Sequence, residues 1–134
     1  MNIQYEDQFI RINNYQLDNC IEIVGKTTCD DYSALKRLLK IINMHIEKSQ
    51  ATKIILSVEK FTSLSYSNII TKEFLPSIAK LGVHNIAIIT GDDENVKVFF
   101  DEYDRSLLPI KQTYSIETKH FKSLNEGLSW IAQK

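Results

Sequence analysis

His45, His84, His120, Cys20, Cys29 and a run of serines from Ser63 are the residues of this chain whose types could do chemistry. The three histidines stand far apart, on three different predicted elements, and none has a cysteine or carboxylate at metal-ligand spacing. An acid–base or metal role would require the fold to gather them. His45 is expected on the outer surface of a helix, and His84 and His120 beside strands. The two cysteines are too few for a disulfide framework and lack zinc-site spacing, so they read as reduced thiols. With four glycines there is no Gly-x-x-x-x-Gly-Lys or Gly-x-Gly-x-x-Gly loop to cradle a phosphate. Gly91-Asp92-Asp93 falls between a predicted strand and helix, where α/β proteins often bind ligands, but a turn followed by an N-cap accounts for the same residues. A phosphoacceptor receiver domain would need paired acids after the first strand, and none follows Phe9–Ile12. The residues therefore predict no enzyme, no cofactor and no metal site.

Two groups remain as candidate sites. Ser63, Ser65 and Ser67 lie in a polar stretch leading into a helix. A phosphate on Ser65 or Ser67 would sit near free amides and the positive end of the helix dipole, whereas unmodified serines there act as simple N-caps. Phe99, Phe100 and Tyr103 cluster on one predicted helix, and Trp130 lies on another. They pack the core, or Phe99, Tyr103 and Trp130 form an apolar ligand pocket or partner surface. Trp130, off the face made by Leu124, Leu128 and Ile131, is expected to be the more exposed.

Charge narrows the partner. The net charge is −1, from 16 basic and 17 acidic residues, with no basic stripe, which argues against nucleic acid and against an electrostatic membrane anchor. The start Met1-Asn2-Ile3-Gln4-Tyr5-Glu6-Asp7 has no basic-then-apolar pattern, and no apolar run reaches membrane-spanning length. A cytoplasmic protein that does not span the membrane is expected. Hydrophobic residues at 43% suffice for a core, and 134 residues without a linker or repeat predict a single domain over 1–134.

The elements that position these groups follow from periodicity. Phe9–Ile12 and Asn19–Val24 read as a hairpin with Asn13-Asn14 as its turn, Ile21 and Ile23 on one face, and Cys20, Glu22 and Val24 on the other. Thr27 and Thr28 are candidate caps, with Asp30 and Asp31 in the first turn, for a helix carrying Leu35, Leu38, Leu39, Ile42 and Ile46. Lys53–Val58 predicts a buried strand. A helix follows from about residue 68, interrupted by Pro76 and stopped at Gly82. A strand over His84–Thr90 leads to a helix capped by Asp92 or Asp93, with Val96, Phe99, Phe100, Tyr103 and Leu107 inward and Pro109 at its close. Thr113–Ile116 predicts a last strand, and Ser123-Leu124-Asn125-Glu126 a capping box opening the final helix. The order β-β-α-β-α-β-α-β-α implies an α/β fold with a mostly parallel sheet after an N-terminal β-hairpin.

This pattern resembles the STAS domain, in particular its SpoIIAA-like group. The resemblance rests on Ile23-Val24-Gly25-Lys26-Thr27 at a strand-to-helix junction, on the leucine-rich first helix running into a buried strand, and on the ending His120-Phe121-Lys122-Ser123-Leu124-Asn125-Glu126-Gly127-Leu128-Ser129-Trp130-Ile131. That ending is similar to a Phe-x-x-x-x-x-Ala-x-x-Trp-Leu pattern, with Gly127 in place of the alanine. The resemblance implies a non-enzymatic regulatory or scaffold domain that binds a protein partner. It places a kinase-modified serine at Ser65, although the Asp-Ser-Ser-Gly context of that site is replaced here by Ser63-Leu64-Ser65-Tyr66. The alternative it implies is a carrier of a lipid or small apolar ligand in a cavity between sheet and helices. Because Ile54–Val58 and Ile86–Ile89 are apolar on both faces while such folds keep their helices mostly on one side, the second face needs a cover. The hairpin, a second copy of the chain or an apolar ligand would supply it.

Overall fold

One strand precedes the expected hairpin. A computed structural model of the chain describes residues 2–15, 19–27, 31–60 and 73–134, with the backbone alone at 99, 100, 103, 104 and 106. β1 (Asn2–Glu6), β2 (Ile10–Tyr15) and β3 (Cys20–Gly25) form an antiparallel meander. They are followed by α1 (Tyr32–Ser49), β4 (Lys53–Ser57), α2 (Leu75–Lys80), β5 (Asn85–Ile89), α3 (Glu94–Ser106), α4 (Leu108–Tyr114), β6 (Glu117–Phe121) and α5 (Leu124–Ala132). The sheet runs β1-β2-β3-β4-β5-β6 in sequence order, with β3 to β6 parallel. The α/β class, the mostly parallel sheet and the antiparallel start are as expected. The order differs by an added first strand and an added helix, α4.

Asn13 and Asn14 do not form a turn. Both lie within β2, opposite Glu22 and Ile21, and Asn13 is fully buried. Turn chemistry was outweighed there by a partner: Asn13 Nδ2 donates to the Glu22 carboxylate, although Asn13 Oδ1 is buried without a donor. The β1–β2 reversal is instead built by Asp7, whose Oδ1 accepts from the amides of Phe9 at 2.7 Å and Ile10 at 2.9 Å. β1 escaped detection because it is short, polar and half-exposed.

Pro76 and Pro109 sit in the first turns of α2 and α4. Before Pro76 the helical path changes, from a wider turn at Glu73–Phe74 to the α-helix from Leu75, and before Pro109 α3 ends at Ser106, so each proline stands at an interruption and also opens the helix that follows. The expected strand over Thr113–Ile116 is thus the end of α4, which stops at Ser115 with φ 56°. The last strand begins at Glu117. Helix α1 is capped by Asp31 and not by Thr27, its carboxylate accepting from the Ser33 amide at 2.9 Å; Thr28 lies outside the described residues. Asp93 caps α3 as expected, accepting from Asn95 at 2.9 Å. The Ser123 hydroxyl accepts from the Glu126 amide at 3.3 Å and donates to its carboxylate at 3.1 Å.

The core lies on both faces of the sheet. On the first face, Ile12, Ile23, Ile54 and Ile86 pack with Leu38, Ile42 and Ile46 of α1 and Ile78 of α2. Right-handed crossovers between strands in sequential order put the connecting helices on one side, as this cluster requires. On the second face, Cys20, Ile55, Ala87 and Ile89 pack against Ile131 of α5. The cover anticipated over β4 and β5 is therefore the chain's own last helix. Gly127 permits the approach: a Cβ there would lie 2.6 Å from Cδ1 of Ile89. Among the described residues no helix is long and apolar enough to cross a membrane.

Candidate functional site

Of the side chains expected to carry a phospho-switch or an apolar surface, Trp130 alone lies among the described residues. Ser63, Ser65 and Ser67, like Cys29, lie outside the described residues, as do the side chains of Phe99 and Tyr103. Trp130 is half-buried on α5, its ring centroid 5.8 Å from that of Phe121 and Lys134 Nζ 4.9 Å above it. Its indole therefore spans core and surface rather than standing clear of the fold.

The histidines stay apart. His45 is buried against the Tyr5 ring at 5.6 Å, not exposed, because the first strand packs on that side of α1. Burial, with Lys48 nearby, pushes its pKa down. His84 Nδ1 lies 3.1 Å from the carbonyl of Ser115, and His120 Nδ1 lies 3.0 Å from Asp101 Oδ1. No group of three or more metal-ligating side chains occurs among the described residues. Gly91, at φ +70°, packs over Glu59 and leads into the Asp93 cap. The sequential order β3 to β6 has no reversal that would open a ligand crevice at this end of the parallel strands. A turn and a cap account for the segment.

A polar cluster that was not legible in the sequence lies on the second face of the meander. Register sets Asn13 opposite Glu22 and Tyr15 opposite Cys20, which puts Arg11, Asn13, Tyr15 and Glu22 on one side. Glu22 Oε1 accepts from Asn13 Nδ2 and from the Tyr15 hydroxyl, both at 2.9 Å. Burial, and then the hydrogen bond to Glu22, push the Tyr15 pKa up, so this phenol is a donor and not a base. The cluster borders Cys20, which lies opposite Tyr15 on the same side and is buried. Its chemistry is that of a carboxylate fixed by two donors, which specifies strand register because a one-residue slip would carry Glu22 into the apolar layer beneath α1. The alternation of Cys20, Glu22 and Val24 was visible in the sequence, but not the strand that would answer Glu22.

A concave feature of the described surface lies between α1 and α2, with a volume of about 300 Å³. Leu39 and Phe74 form its apolar lining, Lys36, Lys40 and Glu73 its rim. Asn43 Nδ2 donates to Ser77 Oγ at 3.1 Å, and Ser77 Oγ donates to the Phe74 carbonyl at 2.8 Å. Asn43 Oδ1 is buried and accepts from nothing. Lys36 Nζ lies 4.9 Å from the Tyr32 ring and 3.8 Å from Glu73. A hydrogen bond with Tyr32, then the Glu73 charge, hold its pKa above the ordinary lysine value. The volume stands at the small end of the roughly 300–1,000 Å³ of small-molecule sites. Apolar lining and a charged rim suit recognition of a side chain better than enclosure of a whole ligand.

Comparison with protein-family models, with curated proteins and with solved structures finds no match to this chain.

Proposed function

We propose that this chain is a non-catalytic regulatory or scaffold domain that binds a protein partner, in the manner implied by its resemblance to STAS/SpoIIAA-like proteins. The observation that carries the proposal is the α1–α2 groove, which offers an apolar lining and a rim of Lys36, Lys40 and Glu73. A peptide segment can answer both features: a side chain for Leu39 and Phe74, and acceptors for Lys36 and Lys40. Packing elsewhere supports this reading over a lipid or small-ligand carrier. Ile46, Ile54 and Ile78 fill the first sheet–helix interface and Ile89, Gly127 and Ile131 the second, with every one of these isoleucines inaccessible to solvent.

Native mass spectrometry of freshly purified protein, beside a denatured intact-mass measurement, tests the proposal. Bare chains, singly or in whole-number assemblies, are the expected result. An added mass lost on denaturation and soluble in organic solvent would replace this reading with the carrier.

A further inference from the structure

Helix α1 concentrates positive charge on a chain whose remainder is net acidic. Lys36, Arg37, Lys40 and Lys48 stand on it against the single acid Glu47, while the whole chain carries −1. Lys36 and Lys40, four residues apart and so on one face, border the groove, with Glu73 opposite. One turn beyond Lys40 on that side of α1 is Met44, 55% exposed, an apolar and adaptable side chain outside the groove lining. Asn43 Nδ2 is committed to Ser77 and Asn43 Oδ1 is shielded from solvent, so recognition in the groove rests on its apolar lining and its lysines.

Resting on the reading that this domain binds a protein, we infer that the α1–α2 groove docks an acidic, amphipathic peptide segment of that partner. Apolar side chains of the segment enter against Leu39 and Phe74 and reach Met44. Its carboxylates face Lys36 and Lys40. An anionic membrane would satisfy the lysines, but a bilayer cannot enter a concave groove. Steering by exposed lysines makes the association salt-sensitive.

The test is fluorescence anisotropy with a labelled synthetic peptide of about 18 residues, long enough to form an amphipathic helix, with leucines on one face and glutamates on the other. The full chain is expected to bind it with Kd tighter than about 1 mM at low salt. Lys36→Glu/Lys40→Glu is expected to weaken binding at least about tenfold. Lys119→Glu/Lys122→Glu, the same charge change on β6 and the loop after it, is expected to leave binding unchanged. Absence of saturable binding, or equal loss in both double variants, would overturn the inference. Preference for the same peptide with every glutamate replaced by lysine would overturn the acidic assignment and leave protein binding standing. Binding to phosphatidylglycerol vesicles but not to the peptide would replace the peptide with a membrane surface. An organic-soluble mass in the native spectrum would instead remove the protein-binding reading itself.

Discussion

Asn13 and Glu22 face each other on neighbouring strands, and Asn13 Nδ2 donates to Glu22 Oε1 at 2.9 Å with both side chains almost wholly shielded from solvent. The same oxygen accepts from Tyr15, so two donors of β2 depend on one carboxylate of β3. Glu22→Gln keeps an acceptor oxygen and is expected to cost less than about 1 kcal/mol. Glu22→Leu strands both donors and is expected to cost about 2 kcal/mol. Adding Asn13→Leu to Glu22→Leu should recover part of that loss, because no buried amide is then left unmatched. Urea midpoints of the wild type, Asn13→Leu, Glu22→Leu and the double variant measure the cycle, and strict additivity would show that the pair is not coupled.

Gly127 and Ile89 form a second tight pair, and their coupling has a sign that can be reversed. In the wild-type background, Gly127→Ala gains about 1 kcal/mol of helix propensity but drives its Cβ into Ile89 Cδ1, an overpacking that costs about 1–3 kcal/mol. Net destabilisation is expected. Ile89→Val removes the colliding methyl, so Gly127→Ala in that background should stabilise by about 1 kcal/mol. Thermal unfolding of the two single variants and the double variant decides the matter; stabilisation by alanine in the wild-type background would mean that α5 stands farther from the sheet.

Acid stability should show two windows with different owners. His45 has its folded pKa depressed by burial, and then by Lys48, so the unfolded chain takes up this proton first, near the ordinary value of about 6.5. Its contribution is complete above that pH and declines as pH falls from there toward the folded pKa. Asp7 is also depressed: burial pushes its carboxyl up, but hydrogen bonds from Tyr5 and from the Ile10 and Phe9 amides outweigh it. Its contribution is present above about pH 4 and is lost as pH falls through its lowered folded value. Unfolding free energy measured from pH 7.5 to 3 should therefore fall in both ranges. His45→Leu is expected to flatten the upper range alone and Asp7→Asn the lower alone. Unaltered pH dependence in both variants would assign the acid sensitivity to other groups.

The start of α1 offers a simple discrimination between neighbouring candidates for its cap. Asp31→Ala removes the oxygen that accepts from Ser33 and Ala34 and is expected to cost about 1 kcal/mol. Thr27→Ala, outside the helix, is expected to fall within about 0.5 kcal/mol of wild type. Chemical denaturation of the two variants reads the difference, and the reverse ranking would move the helix start toward Thr27.

How much was legible depended on how local the deciding interaction was. The apolar runs at Ile54 and Ile86, the 3.6-residue stripe through Leu38, Ile42 and Ile46, and the Ser123–Glu126 box all act within one element, and each was readable from order alone. Pro76 and Pro109 were visible as punctuation, but whether a proline ends a helix or opens one depends on the residues that follow it finding a surface to pack on. Asn13 looked like a turn residue because its partner, Glu22, is nine positions away and is brought opposite only by pairing. His45 looked like a surface residue because β1, which contributes Tyr5, carries little apolar signal of its own.

By itself, the sequence determined the class of this protein: alternating strands and amphipathic helices, a near-neutral charge and no catalytic or phosphate-binding motif. These follow from residue type and short-range spacing, which survive in the unfolded chain. Tertiary structure alone decided which helix closes the second face of the sheet, which polar groups become buried together, and that Lys36 and Lys40 border a groove floored by Phe74 and Asn43. Those relations join residues distant in sequence, and their free energies exist only once desolvation has removed water as the alternative partner.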